Sequence, residues 1–183
     1  MQLPHIDRTW TLFLDRDGVI NYEKHEDYIN TLEEFKIYPG VFEALNIFSK
    51  KFGRIFIITN QRGIAKGVTK PEDLQQIHES LLYQVMQAEG KIDGIYFCPD
   101  LESTSINRKP NAGMAHQVKN DFPDVVFSKT IMVGNTLSDM QFGRNAGVHA
   151  NIFLPTTRPE VKTDDPLIDY VFPDLLAVAK AIN

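Results

Sequence analysis

One cysteine, Cys98, stands in the whole chain, so no intramolecular disulfide can form, which is the usage of a reducing compartment. No apolar run approaches the roughly 20 residues that cross a bilayer. The opening MQLPHIDRTW lacks the basic-then-apolar pattern of a secretory signal. These absences predict a cytoplasmic protein with no membrane partner. Clusters of Lys and Arg are missing as well. The 19 basic residues are outnumbered by 24 acidic ones, for a net charge of −5, whereas a protein that wraps nucleic acid shows a basic face. No nucleic-acid partner is expected, although a mildly acidic protein can still hold a local cationic pocket for phosphate. There is no repeat, no low-complexity tract and no coiled-coil heptad, and a monomer is the expectation. The five histidines show no metal-ligand spacing.

What is present suits one globular domain over residues 1–183, with 43% hydrophobic and 23% charged residues and enough chain for one sizeable core. Apolar runs at Thr9–Leu14, Arg54–Ile58, Ile92–Cys98, Thr130–Val133 and Val148–Leu154 read as strands, with Tyr170–Phe172 as a short sixth. Helices are predicted from Val41 to the stop at Gly53, from Pro71 to about Glu89, from Pro110 to about Asp121, over Leu137–Asn145, and from Asp174 onward. Strands alternate with helices throughout. That order predicts an α/β fold with a mostly parallel central sheet and helices on both faces. Residues 155–168, PTTRPEVKTDDPLI, are the most linker-like stretch, but too little follows to form a second domain and no internal linker is expected.

In open α/β sheets, ligands sit at the carboxyl ends of the strands, and each predicted strand end here carries something reactive. The first ends in Asp15-Arg16-Asp17-Gly18 and the second in Thr59-Asn60-Gln61. Arg108-Lys109-Pro110 follows the third, and Gly134-Asn135 ends the fourth, with Asp139 one turn into the next helix. In an extended segment, side chains two apart point the same way, so Asp15 and Asp17 can both face a substrate. Two carboxylates that close need a cation or unequal protonation. A hard divalent ion such as Mg²⁺ fits, with Asn135 and Asp139 offering further oxygens. Lys109 and Thr59 offer donors to a phosphoryl group. One carboxylate can act as nucleophile on phosphorus while the other serves as general acid and base.

FLDRDGVIN, Pro39-Gly40, ITNQRGIAKG, RKPNAGM and MVGNTLSDM, in this order, resemble the haloacid dehalogenase (HAD) superfamily. The branch they resemble is that of histidinol-phosphatases and D-glycero-D-manno-heptose 1,7-bisphosphate phosphatases, over roughly residues 9–155. The resemblance implies a three-layer, Rossmann-like (HAD-like) fold. No insertion here is long enough for a separate cap domain. It also implies Asp15 as the nucleophile that forms an aspartyl-phosphate, and Asp17 as the acid and then base. Thr59 and the Asn60 backbone would bind phosphoryl oxygens, Lys109 would neutralise charge, and Arg108 would reach a substrate phosphate. Mg²⁺ would be held by Asp15, by the Asp17 main-chain carbonyl and by the position of Asn135, with Asp139 nearby. Asn21, Tyr28, Gln61 and Arg62 complete the expected substrate-binding set. An uncapped crevice would leave specificity to the loops at 21–30, 62–68 and 99–108.

Two departures stand out. The family pattern has Asp where this chain has Asn135, which removes a negative charge and predicts weaker Mg²⁺ binding. Many members of the branch also carry a four-ligand zinc loop, of which only Cys98 remains, so no zinc is expected. Cys98 and Trp10 read as core residues, His149 as structural, His78 and His116 as surface or core-edge, and Arg16 as structural or at the rim. Tyr22, His25 and Tyr28 lie in a loop that would overhang the crevice, with substrate contact and a structural role both open. The sequence thus predicts a Mg²⁺-dependent phosphomonoesterase acting on a small phosphorylated metabolite, with the heptose bisphosphate ahead of histidinol phosphate. The alternative is a catalytically weakened relative that binds a phosphometabolite or a partner without turnover, a reading favoured only by Asn135.

Overall fold

The computed structural model describes residues 3–24 and 27–182. Residue His25, named above with Tyr22 and Tyr28, lies outside them. Among the described residues, six strands form one sheet: β1 Thr11–Leu14, β2 Arg54–Asn60, β3 Gly94–Cys98, β4 Thr130–Gly134, β5 Ala150–Phe153 and β6 Tyr170–Val171. Five α-helices accompany them: α1 Val41–Lys51, α2 Pro71–Gln87, α3 Gly113–Asp121, α4 Leu137–Ala146 and α5 Leu175–Ala181. The strand order is β3-β2-β1-β4-β5-β6, and every pairing is parallel.

The sheet alternates its faces as a two-residue period demands. In β1, Leu12 and Leu14 join a core with residues of α1, α2 and α5, while Phe13 points to the other face and packs with residues of α3 and α4. Both layers are apolar, which is why the inner strands read as continuous hydrophobic runs. β1 sits between β2 and β4, with Leu14 in register with both Ile57 and Val133. The chain builds outward from β1 through β2 to β3, then returns to lay β4 on the other side. The carboxyl end of β1 is therefore the switch point of the sheet, where a crevice opens.

Most element boundaries shift by a few residues for identifiable reasons. β1 starts at Thr11 because the Asp7 side chain accepts from the Thr9 amide (2.8 Å) and the Asp7 carbonyl accepts from the Trp10 amide (3.0 Å), turning the chain there. β2 runs two residues further, pairing Thr59 and Asn60 with Phe97 and Cys98. α3 starts at Gly113 instead of Pro110, since the Asn111 and Gly113 amides are engaged in turns to Arg108 and Ile106. Arg16 is fully buried, which excludes a rim position, and Trp10 and Cys98 are buried as expected. The stretch at 155–168 is no linker. It turns back across the end of β1, with the Thr156 hydroxyl donating to the Gly18 carbonyl at 2.5 Å.

Phe13 is fully buried between Phe56 and Phe142, with ring centroids 6.2 and 6.3 Å away. Phe13→Ala leaves a cavity on the central strand and should lower unfolding free energy by about 3–5 kcal/mol. Urea denaturation followed by circular dichroism measures it.

Candidate active site

A cavity of about 900 Å³ opens over the ends of β1, β2 and β4. Its floor is built around one ammonium. Lys109 Nζ donates to Asp15 Oδ1 (2.8 Å), to Asp139 Oδ1 (2.5 Å) and to the Ile58 carbonyl (2.8 Å). All three of its protons are thereby used. Asp15, Lys109 and Asp139 are each at least nine-tenths buried. Burial opposes the Lys109 charge, but Asp139 and Asp15 outweigh it and raise its pKa. Burial and the Asp139 carboxylate push Asp15 up to about 7, against the pull of Lys109.

Lys109 is held from behind. The Asn60 side chain accepts from the Lys109 amide (3.0 Å) and donates to its carbonyl (3.1 Å). Asp139 is fixed by the start of α4. Its Oδ2 accepts from the Asn135 amide (3.2 Å), the Thr136 amide (3.0 Å) and the Thr136 hydroxyl (2.7 Å), closing a capping box. Both Asp139 oxygens are thus committed to protein donors. A side chain at Gly134 would put its Cβ 2.3 Å from Asp139 Cβ, so only glycine lets the helix start this close to the strand.

Asp17 is held by a second set. Its two oxygens accept from Arg16 (2.9 and 3.0 Å), from Asn21 (2.8 Å) and from Gln61 (2.8 Å). Gln61 also donates to the Thr59 hydroxyl at 2.9 Å, tying the ends of β1 and β2 together. Burial alone would raise the Asp17 pKa, but Arg16 and these hydrogen bonds hold it below the usual carboxylate range. Arg16 rests on His78, whose Nε2 lies 3.2 Å from Nη1. A guanidinium can only donate, so His78 accepts there and stays neutral. Burial and the Arg16 charge push His78 down to about 3.

The structure brings Asp15, Asp17, Tyr28, Thr59, Asn60, Gln61, Arg62, Arg108, Lys109 and Asp139 onto the cavity wall. Asn21 and Asn135 are fully buried behind it. The loop periodicity gave no sign of Glu23, Thr157 and Arg158, which also line the cavity. Arg158 pairs with Glu23 at 2.8 Å, closing one side of the rim. Periodicity says nothing about irregular segments, and the only available signal was opposite charge in two loops far apart in sequence.

A sequence model of the polynucleotide kinase 3 phosphatase family matches residues 10–170. The chain belongs to this family of HAD phosphatases. A Campylobacter jejuni relative named D-glycero-alpha-D-manno-heptose-1,7-bisphosphate 7-phosphatase is 40% identical over 153 residues, 84% of this chain and 87% of the relative. A Haemophilus influenzae relative, named for the beta anomer of the same compound, is 28% identical over 179 residues, 94% of this chain and 96% of its own. The crystal structure of D,D-heptose 1,7-bisphosphate phosphatase from B. bronchiseptica, complexed with magnesium and phosphate, superimposes with a TM-score of 0.84. It is 28% identical, covering 93% of this chain and 96% of that one.

The donor set of this HAD phosphatase suits a hard cation. The Asn135 side-chain oxygen is buried without any hydrogen-bond partner. Such an orphan costs about 1–3 kcal/mol unless something satisfies it. A magnesium ion beside the Asp15 carboxylate would do so, with oxygen ligands of the type it prefers.

The His78 arrangement has a consequence for acid stability. Between pH 6.5 and about 3 the unfolded chain takes up a proton on this histidine that the folded chain refuses, so stability falls as pH falls through that window. His78→Gln should flatten the acid limb by up to about 1.4 kcal/mol per pH unit there. Denaturant midpoints at pH 7, 5.5 and 4.5 check it, and an unchanged slope would mean His78 is protonated in the fold.

Proposed function

We propose that this HAD phosphatase hydrolyses the 7-phosphate of D-glycero-D-manno-heptose 1,7-bisphosphate, with Mg²⁺ as cofactor and an aspartyl-phosphate on Asp15 as intermediate. The observation that carries the chemistry is the triple clamp on Lys109, which aims a buried Asp15 oxygen at the cavity beside a fixed positive charge. The names of the relatives support the substrate. The alpha anomer ranks first, because the relative at 40% identity carries that name. A cavity of about 900 Å³ also suits a small sugar better than a nucleic-acid strand, and its rim mixes Glu23, Asp27 and Glu160 with its cations.

Bound Mg²⁺, held by Asp15, the Asn135 oxygen and the Asp17 main-chain carbonyl, would neutralise phosphoryl charge and orient the phosphate for in-line attack. Asp15 attacks phosphorus and the sugar oxygen leaves. Lys109 and Thr59 stabilise charge on the transferring group. At rest, Arg16, Asn21 and Gln61 keep Asp17 ionised. The arriving phosphate dianion favours uptake of a proton from solvent by Asp17, which then gives that proton to the leaving oxygen. In the second half, Asp17 takes a proton from the water that opens the aspartyl-phosphate. Arg62, Lys66 and Arg108 stand along the cavity wall, placed to meet the phosphate that stays on the sugar.

The test is phosphate release from both heptose bisphosphate anomers, histidinol phosphate and a 3′-phosphorylated oligonucleotide, with and without Mg²⁺. Release from a heptose bisphosphate should exceed the others at least about tenfold and require the metal. Comparable release from histidinol phosphate or the oligonucleotide overturns the substrate assignment. Asp15→Asn should abolish turnover, by about a thousandfold or more, while the protein stays folded. Substantial turnover in that variant rules out Asp15 as nucleophile.

A further inference from the structure

The Asn135 carboxamide has a fixed polarity, and the group that fixes it is Glu23. Asn135 Nδ2 donates to Thr157 Oγ1 (2.5 Å) and to Glu23 Oε2 (3.2 Å). The Thr157 hydroxyl donates in turn to the same Glu23 oxygen at 2.8 Å. A carboxylate only accepts, so the nitrogen of the amide must face Glu23. Its oxygen is thereby turned away, buried and without a partner. Arg158 holds the other Glu23 oxygen at 2.8 Å, which keeps the carboxylate in place. Gly18 closes the pocket: with φ at +83°, it lies where a Cβ would come 2.1 Å from Asn135 Nδ2.

The geometry points to Glu23 as the positioning residue of the metal site: by way of Thr157 it turns the Asn135 oxygen toward the cation and supplies nearby the negative charge that Asn135 lacks. This rests on the reading of Asn135 as a magnesium ligand given above. Thr157 alone does not set the polarity, because a hydroxyl both donates and accepts. Without Glu23 the Thr157 proton is free to bond the Asn135 oxygen and so compete with the ion for it. The same contact should disfavour a carboxylate at position 135 in this chain. The substitution Asn135→Asp would bring an oxygen to within about 3 Å of the Glu23 oxygen, with no proton between them.

Calorimetric titration of MgCl₂ into the substrate-free protein tests this in a four-way comparison of wild type, Glu23→Ala, Asn135→Asp and the double variant. Glu23→Ala should weaken Mg²⁺ binding about tenfold when Asn135 is present, as loss of a ligand's supporting partner does. In the Asn135→Asp background, where either carboxylate oxygen can bind, the same change should cost less than about threefold. The loss of one negative charge is common to both backgrounds and cancels in the comparison. Thermal melting in EDTA gives a metal-free readout: Asn135→Asp should lower Tm, and adding Glu23→Ala should restore most of it. Equal weakening in both backgrounds, or a Tm loss indifferent to Glu23, overturns the inference while leaving the phosphatase reading intact. No Mg²⁺ binding by the wild type overturns the metal assignment and this inference with it.

Discussion

The ammonium of Lys109 is the interaction on which the rest of the site depends. It lies at the base of a crevice where the ends of β1 and β2 and the start of α4 meet, and it bonds to one group from each. Burial and the Asp139 carboxylate push the Asp15 pKa up, and Lys109 is the group that pulls it back. A buried ammonium with fewer than three acceptors would itself be costly. Removing Lys109 would leave two buried carboxylates facing each other, and removing either aspartate would leave the ammonium one acceptor short. The Asn60 clamp on the Lys109 backbone makes the arrangement rigid, which an electrostatic catalyst needs, since charge placed before the reaction need not reorganise during it.

The same double use of groups runs through α4. Asp139 closes the capping box of its own helix, as the N3 partner of Thr136, with one oxygen and pairs with Lys109 with the other. Helix geometry thus sets the position of a site charge to within the tolerance of a capping box. Of its two oxygens, Oδ2 is filled by three donors, and Oδ1 accepts from Lys109 alone. Asp15 and the Asn135 oxygen are the freer donors, and the structure of the cap explains why.

Much of this was legible in the sequence. The carboxyl ends of the strands are read to within two residues, because apolar runs that stop at charged or turn-forming residues mark where a parallel sheet meets solvent, as at Leu14-Asp15 and Gly134-Asn135. The resemblance of the ordered motifs carried the roles. Legibility stopped where structure is irregular. Asn21 and Gln61 were expected to meet substrate, yet both give a donor to Asp17. Arg16, placed between two aspartates, left a structural and a rim position both open; it is structural, buried over His78, a contact 62 residues away that no local pattern encodes. The stretch at 155–168 has the composition of a linker, and only its partners, Gly18, Glu23 and Asn135, reveal it as a wall of the site.

That wall also bears on how the chain tolerates its departure at position 135. Here the loop after β1 carries a carboxylate, and the segment after β5 carries a hydroxyl and a guanidinium that hold it against the Asn135 nitrogen. Glu23 thus sets a negative charge one side chain behind the Asn135 carboxamide. Such a charge still attracts the cation, more weakly because the distance is longer. At the same time, the rim of the cavity is tied to its floor. Through Arg158, Glu23 and Thr157, the rim and the Asn135 carboxamide share one set of hydrogen bonds.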